Sequence, residues 1–312
     1  MTYAGLMRQL NFQMAIWTCV KFVLQSHSRP VRNFPSSQAC EQCPDALVLM
    51  MNYENLPNCS CFAIFFEIGV PAEIETMWQS VCKLFSDFSV PIEKVGSASG
   101  RSVQADRTTI ARMLARNEIS ATGGRSLAPL KSYDWRACGH FHVDLRRLFF
   151  GFESQLCSHV QFVIESQFFK ILKVPRARYG FIFNRPVGLN PVAYVSGMNP
   201  IETDPADREL RMAWSTSLAA GCEHQTLRDV FETNCLSGKG LSAELARSIE
   251  SLVNDTGLGA LQYVDEFVLW RVPKLKLIEA RNLLINSGII KSPHWVRDIM
   301  TKAKNAPFSR NS

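Results

Sequence analysis

The sequence predicts an α+β fold with mixed, largely antiparallel sheets and packed helices. Three observations predict it. The apolar run from Cys61 to Ile68 has the length and composition of a buried strand. Residues 74–85 repeat their apolar side chains at the spacing of one helix face. Residues 259–272, GALQYVDEFVLWRV, place Asp265-Glu266 between two strand-like runs and therefore predict a hairpin.

Composition indicates a folded protein. Of 312 residues, 46% are hydrophobic and 20% are charged, which is typical of a chain with a sizeable core. The 34 basic and 28 acidic residues give a net charge of +6, less than a dedicated nucleic-acid-binding domain usually carries. The ten cysteines are scattered, which favours reduced thiols over a disulfide framework.

Residues 1–60 are predicted to form a separate N-terminal part, with one helix and an irregular segment. The apolar stretch 10–24 is interrupted by Asn11, Gln13 and Lys21, and a membrane span needs roughly 20 apolar residues. It is not followed by a small-x-small cleavage site, so a signal peptide is not favoured. We therefore expect a cytoplasmic protein with no membrane partner.

Residues 61–200 are predicted to form an α+β domain. Its elements follow from runs of apolar residues at strand or helix spacing. They are strands at 61–68, 139–148, 179–186 and 192–197, and helices at 74–85 and 103–117. The acidic, proline-containing segment 198–210 resembles a loop and marks the predicted boundary of this domain.

Residues 201–312 are predicted to form a smaller α+β unit. Helices are expected around 208–220 and 242–253, followed by the hairpin. A last helix over 275–286 ends at Gly288, which stands where glycine commonly terminates a helix.

The stretch Ser237-Gly238-Lys239-Gly240 looks like part of a phosphate-binding loop. Such a loop needs an earlier glycine and a Ser or Thr after the lysine, so that backbone N–H groups and a hydroxyl meet phosphate and magnesium. Here those two positions hold Thr233 and Gly240. A nucleotide site is therefore not predicted.

Two groups of residues have metal-ligand spacing. Cys40, Cys43, Cys59 and Cys61 would supply four thiolates to a zinc ion, although they are equally consistent with ordinary thiols. Cys138, His140, His142 and Asp144 alternate along a predicted strand and would share one side of it, as metal ligands or as solvated groups. The prediction is that no metal or cofactor is bound.

Catalytic and nucleic-acid-binding motifs were also considered. The sequence contains no G-x-S-x-G, H-E-x-x-H or G-x-G-x-x-G motif, so no catalytic residue is predicted and the chain is not expected to be an enzyme. Residues 173–181, KVPRARYGF, interleave basic and aromatic side chains as single-strand-binding surfaces do. One such patch on a mildly basic chain is more typical of a solvated loop, and direct nucleic-acid binding is not predicted.

Residues 227–290 carry an ordered set of features, LRDVFETNCLS, a helix, GLGALQYVDEFVLWRV and ARNLLINSGII. This set resembles the C-terminal portion of bacterial immunity proteins of polymorphic-toxin and type VI secretion systems. The strand pair at 179–198 and the opening strand and helix at 66–88 are similar to theirs as well, so the resemblance covers roughly residues 61–290. The matching positions are Leu227, Arg228, Asp229, Asn234, Gly259, Leu269, Trp270, Arg281, Leu284 and Gly288.

The resemblance implies a non-enzymatic protein that binds and blocks a cognate secreted toxin, with a restriction-endonuclease-like nuclease effector as the nearest partner. A nuclease has a basic cleft, so the acidic residues Glu202, Asp204, Asp207 and Glu209 are the predicted contact element. Two alternatives remain open: a zinc-binding or metal-dependent enzyme, and an adaptor or chaperone that loads an effector.

Overall fold

The computed structural model contains one ten-stranded antiparallel sheet with helices on both faces. It describes residues 57–67, 74–96, 102–116, 121–127, 135–142, 147–156, 158–173, 177–187, 190–197, 205–220 and 223–291. The predicted α+β class is confirmed. The predicted N-terminal part lies outside the described residues, apart from 57–60.

The strands follow the order β3-β2-β4-β5-β6-β1-β7-β8-β10-β9 across the sheet. Every neighbouring pair is antiparallel. The strands are β1 (Asn58–Phe66), β2 (Lys94–Gly96), β3 (Ser102–Gln104), β4 (Ala121–Ser126), β5 (Ala137–His142), β6 (Arg147–Glu153), β7 (Ala177–Pro186), β8 (Thr233–Ser237), β9 (Ala260–Val264) and β10 (Phe267–Arg271).

Seven helices are described, and they cover the two faces of the sheet. Three contribute to the core on one face: α1 (Ile74–Asp87), α2 (Arg107–Ala115) and α3 (Val160–Leu172). Four contribute to the core on the other: α4 (Pro191–Val195), α5 (Pro205–Ala220), α6 (Ala243–Thr256) and α7 (Leu277–Asn286). The result is a three-layer arrangement in which most strands have no solvent-exposed face.

Strand β1 shows why the sheet is covered on both sides. All its residues after Asn58 are buried, and alternate side chains enter the two cores. Phe65 contacts Trp214 of α5 edge to face, with ring centroids 5.4 Å apart. Phe62 makes a similar contact with Phe168 of α3 at 5.7 Å. A strand that is apolar on both faces stays folded only if helices exclude water from each face.

Two predicted strands differ in the structure. The segment 139–148 contains parts of β5 and β6, with Phe141 opposite Leu148. The connecting residues are VDLR, in which Asp144 is the single common turn residue, so the sequence carries only a weak turn signal there. The predicted strand at 192–197 is helix α4, because Pro191 occupies its first turn and Asn190 Oδ1 accepts a hydrogen bond from the Ala193 N–H.

Helix α2 begins later than predicted. Val103 lies in strand β3, where it pairs with Val95 of β2. The helix starts after Asp106, whose side chain accepts the Thr109 N–H at 2.7 Å. The other predicted helices after residue 73 and the hairpin are present, with small shifts at their ends. Helix α3 corresponds to no predicted element.

The predicted domain boundary near residue 200 does not interrupt the sheet. Strand β7, which precedes it, pairs with β8, which follows it, through contacts such as Phe181 opposite Asn234. The two predicted parts therefore share one hydrogen-bonded sheet.

Gly259 sets the geometry of the β9–β10 hairpin at its open end. Its φ of +100° is unfavourable for residues with a side chain, and an added Cβ would lie 2.3 Å from the Arg271 carbonyl oxygen. The Trp270 indole, which lies next to Gly259, donates a hydrogen bond to the Leu258 carbonyl at 2.8 Å. The close approach of these two backbone segments explains why position 259 holds a glycine.

We predict that Gly259→Ala lowers the free energy of unfolding by about 3 kcal/mol, since strain and overlap add. Gly257→Ala is the matched control, because Gly257 has a φ of +66° but open space around its Cβ position; about 1 kcal/mol is expected there. Urea unfolding measures both. Equal losses for the two variants would contradict the steric explanation.

Candidate functional site

The predicted acidic contact element lies only partly within the described residues. Glu202 and Asp204 fall outside them. Asp207 and Glu209 are in helix α5, which begins at Pro205, so this part of the predicted loop is helical. The structure places their backbone at the start of that helix and does not describe their side chains.

Of the four cysteines with zinc-ligand spacing, only Cys59 and Cys61 are among the described residues, and both are buried. Cys59 and Cys61 lie in β1 and belong to the core on the α5 face, together with Cys138 of β5. Burial raises the pKa of the Cys59 and Cys61 thiols well above the ordinary range, and raises that of Cys138 to about 11. Within the described part of the chain, no three His, Cys, Asp or Glu residues come together as a metal site. Cys40 and Cys43 lie outside it.

The His-x-His segment is at the end of β5. His140 is partly buried there, opposite Phe149 of β6. The side chain of His142 and all of Asp144 lie outside what the structure describes.

The stretch that looked like a phosphate loop is the turn after β8. The Gly238 N–H donates to the Glu266 carbonyl at 2.7 Å, and Lys239 Nζ lies 3.2 Å from Glu266 Oε2. These contacts join the turn to the end of the β9–β10 hairpin. In the described part of the basic-aromatic stretch 173–181, the aromatic side chains Tyr179 and Phe181 are buried in the core and are not available for stacking.

Asp229 is the centre of a polar network below the core on the α5 face. Its Oδ2 accepts the Tyr194 hydroxyl at 3.0 Å, and its Oδ1 accepts the Val230 N–H at 2.8 Å. Arg281 Nε of α7 lies 3.1 Å from the same Oδ1. One carboxylate thus connects α4, α7 and the loop that leads into β8.

Tyr194 is enclosed by two arginines. The guanidinium carbons of Arg185 and Arg228 lie 4.1 and 4.2 Å from the centroid of its ring. Arg228 is buried and its Nε donates to the Tyr194 carbonyl at 3.1 Å. Burial, followed by the nearby Asp229 charge, raises the pKa of the Tyr194 hydroxyl, so this group stays protonated and donates to Asp229.

Asn234 holds the same loop from the other side. Its fully buried side chain accepts the Phe231 N–H at 3.1 Å and donates to the Phe231 carbonyl at 2.6 Å. The positions that carry the family resemblance therefore have structural roles here, since Arg228, Asp229, Asn234 and Arg281 fix one loop.

That loop forms a wall of a surface groove of about 910 Å³ at one end of the sheet. The groove is also bordered by the ends of β7 and β10, the start of β9 and residues of α3 and α7. Its charged lining consists of four cations and two acids: Arg185, Arg271, Lys274, Lys276, Glu165 and Glu232. Arg271 Nη1 lies 3.6 Å from Glu165 Oε1, and the lining as a whole keeps an excess of positive charge.

Three exposed apolar side chains are next in the chain to residues that line this groove. Leu275 is 98% exposed and Ile278 75%, and both are next in the chain to groove-lining residues. Phe162, 74% exposed, follows the lining residue Gln161 in α3. We call Phe162, Leu275 and Ile278 the apolar rim. Three of the six large exposed apolar side chains in the described residues are thus sequence neighbours of groove-lining residues.

Sequence reasoning did not identify this groove. Its position depends on the ends of strands that are distant in sequence, and no motif marks that meeting. One signal was present: Val160, Ile164, Phe168 and Ile171 repeat at helix spacing and predict α3, and Phe162 falls outside that apolar face.

Comparison with known proteins yields one weak structural likeness. No family model matches the chain, and no curated protein matches it. A T6SS protein of Pseudomonas aeruginosa is similar at a TM-score of 0.43 and 12% identity, over 69% of this chain and 65% of that protein's length. A likeness of this strength does not establish a shared family or activity. No described helix is long and apolar enough to cross a membrane.

We predict that Asp229→Ala lowers the free energy of unfolding by about 3 kcal/mol, because Arg281 loses the carboxylate of its ion pair and the buried Tyr194 hydroxyl loses its acceptor. Tyr194→Phe removes one hydrogen bond of the network and is expected to cost about 1 kcal/mol. Asp255→Ala, on the exposed face of α6, is the control and should change stability by less than about 0.5 kcal/mol. Urea unfolding separates the three, and an Asp229→Ala loss no larger than that of Tyr194→Phe would rule out the central role of this carboxylate.

We predict that Cys59, Cys61, Cys138 and Cys235 resist iodoacetamide in the native protein at pH 8, since burial disfavours their thiolates. Peptide mass mapping before and after unfolding in urea measures this. The zinc-site alternative predicts one equivalent of bound zinc and a change in Cys59 and Cys61 alkylation after chelation. Rapid native labelling of Cys59 or Cys61 without chelator would contradict the assigned burial.

Proposed function

We propose that this protein binds a cognate secreted antibacterial toxin and neutralises it without catalysis, as an immunity protein of a type VI or related secretion system. A nuclease effector is the proposed partner. The observation that carries the binding role is the groove flanked by the apolar rim. The choice of toxin rests on the resemblance of residues 227–290 to immunity proteins.

The apolar rim has the properties of an anchor for a protein partner. Fully burying a Leu, Ile or Phe side chain is worth about 1.5–3 kcal/mol, so three such anchors would contribute much of a stable complex. The adjoining cations would remain at the edge of the contact, where charge affects the rate of encounter more than the final affinity.

The charge of the groove bears on how blocking would occur. A groove with more cations than acids complements an acidic surface, whereas a nuclease cleft is basic. We therefore propose that the groove docks on an acidic part of the toxin. The acidic residues at 202–209 remain the proposed contact with the basic cleft, so neutralisation would combine anchoring by the groove with occlusion of the cleft.

The test is co-expression and co-purification with the product of the adjacent gene, followed by a plasmid-degradation assay. We predict a stoichiometric complex that does not cut DNA. Leu275→Asp and Ile278→Asp should each weaken it at least tenfold, about 1.4 kcal/mol, without changing the urea midpoint, because both side chains are exposed in the free protein.

Val103→Asp is the matched control. Val103 is 38% exposed in β3, at the opposite edge of the sheet, and its replacement should leave binding unchanged. Asp207→Lys with Glu209→Lys tests the acidic element separately. A complex that forms but still cuts DNA would favour an effector-loading adaptor. A complex insensitive to Leu275→Asp and Ile278→Asp would refute the groove as the docking surface.

A further inference from the structure

The outer edge of β9 is an exposed strand edge. Among the strands that the structure describes, β9 is the last of the sheet beside β10. Its residues, ALQYV, are exposed or partly exposed on both faces, and Tyr263 is 66% exposed. The strand carries no charge and no proline, the two features that commonly keep edge strands from pairing. The opposite edge strand, β3, has only three residues.

The hydrogen-bond pattern shows which backbone groups of β9 face outward. The Gly238 N–H donates to the Glu266 carbonyl and the Val272 N–H to the Glu232 carbonyl, so even-numbered residues of β10 bond to β8. Odd-numbered residues of β10 therefore bond to β9, and their partners include Gln262 and Val264. It follows that the N–H and C=O groups of Leu261 and Tyr263 point away from the sheet.

Charges differ at the two ends of this edge. Lys276 Nζ donates to the Gly257 carbonyl at 3.3 Å, which places a cation at the beginning of β9, and Lys274 lines the groove together with Ala260. Asp265 and Glu266 form the turn at the other end. Within the chain, Asp265 Oδ2 lies 3.5 Å from Lys173 Nζ and Glu266 Oε2 lies 3.2 Å from Lys239 Nζ, both at exposed positions. Antiparallel pairing of two identical edges brings the Lys274 and Lys276 end of each copy beside the Asp265-Glu266 turn of the other.

We propose that two copies of this chain pair through β9 in antiparallel orientation, about a two-fold axis at Gln262. Leu261 then lies opposite the partner subunit's Tyr263, and the four outward N–H and C=O groups of each copy are satisfied by four hydrogen bonds. The two ten-stranded sheets become one continuous sheet. A two-fold contact of this kind is closed, so it gives a dimer and not a filament.

The first test is the mass of the full chain in solution, without toxin, by sedimentation velocity across a range of concentrations. Wild-type protein is expected to form a dimer. Tyr263→Pro removes an outward N–H that the monomer does not use, and should give a folded monomer. Tyr263→Ala retains that N–H and should remain dimeric. A monomeric wild type at about 100 µM, well above the Kd of ordinary specific complexes, would overturn the proposal.

A charge exchange tests the orientation and does not depend on the proline variant folding. Lys274→Glu/Lys276→Glu places like charges at both junctions of its own dimer, and so does Asp265→Lys/Glu266→Lys. Each double variant alone should raise the dimer Kd at least tenfold, and a mixture of the two should form a heterodimer. Absence of that heterodimer, with both variants folded by circular dichroism, would refute antiparallel pairing. The readout is self-association, so it is independent of whether the toxin is found.

Discussion

The groove and its surroundings depend on one buried carboxylate. Asp229 accepts hydrogen bonds from Tyr194 and from its own loop, and pairs with Arg281 of the last helix. Residues 230–233, which follow it directly, form a wall of the groove. A carboxylate removed from water costs free energy unless it has polar partners, and the partners of Asp229 come from two helices and one loop. The shape of the groove therefore depends on the hydrogen bonds and the ion pair of Asp229.

The same constraint explains why the resemblance to immunity proteins lies where it does. Arg228, Asp229, Asn234 and Arg281 have their side chains turned into the network or the loop backbone, while the apolar rim faces solvent. A scaffold of this kind can keep its buried polar residues and present different exposed ones. Phe162, Leu275 and Ile278 are thus better suited to determine partner choice than the residues that carry the resemblance.

Much of the fold was predictable because its signals are local. Helix spacing, the Asp265-Glu266 turn and the glycine after α7 each act within a few residues. Helix α4 was mistaken for a strand because VAYV is apolar, although Asn190-Pro191 before it is a helix start signal. The groove was not predictable in this way, since Arg185, Arg271 and Glu165 meet only through strand and helix pairing over long sequence separations. Asp229 is one of the positions that carry the resemblance, but its partner Tyr194 lies in the segment 192–197, which was wrongly predicted to be a strand.

In the proposed function, the strand-end groove contacts the toxin together with the acidic segment. Hydrogen–deuterium exchange of the free protein and of the purified complex tests it most directly. We expect slower exchange on binding in peptides covering 158–165 and 271–280, which carry the apolar rim. Slower exchange confined to peptides around 198–220, with the groove peptides unchanged, would contradict it.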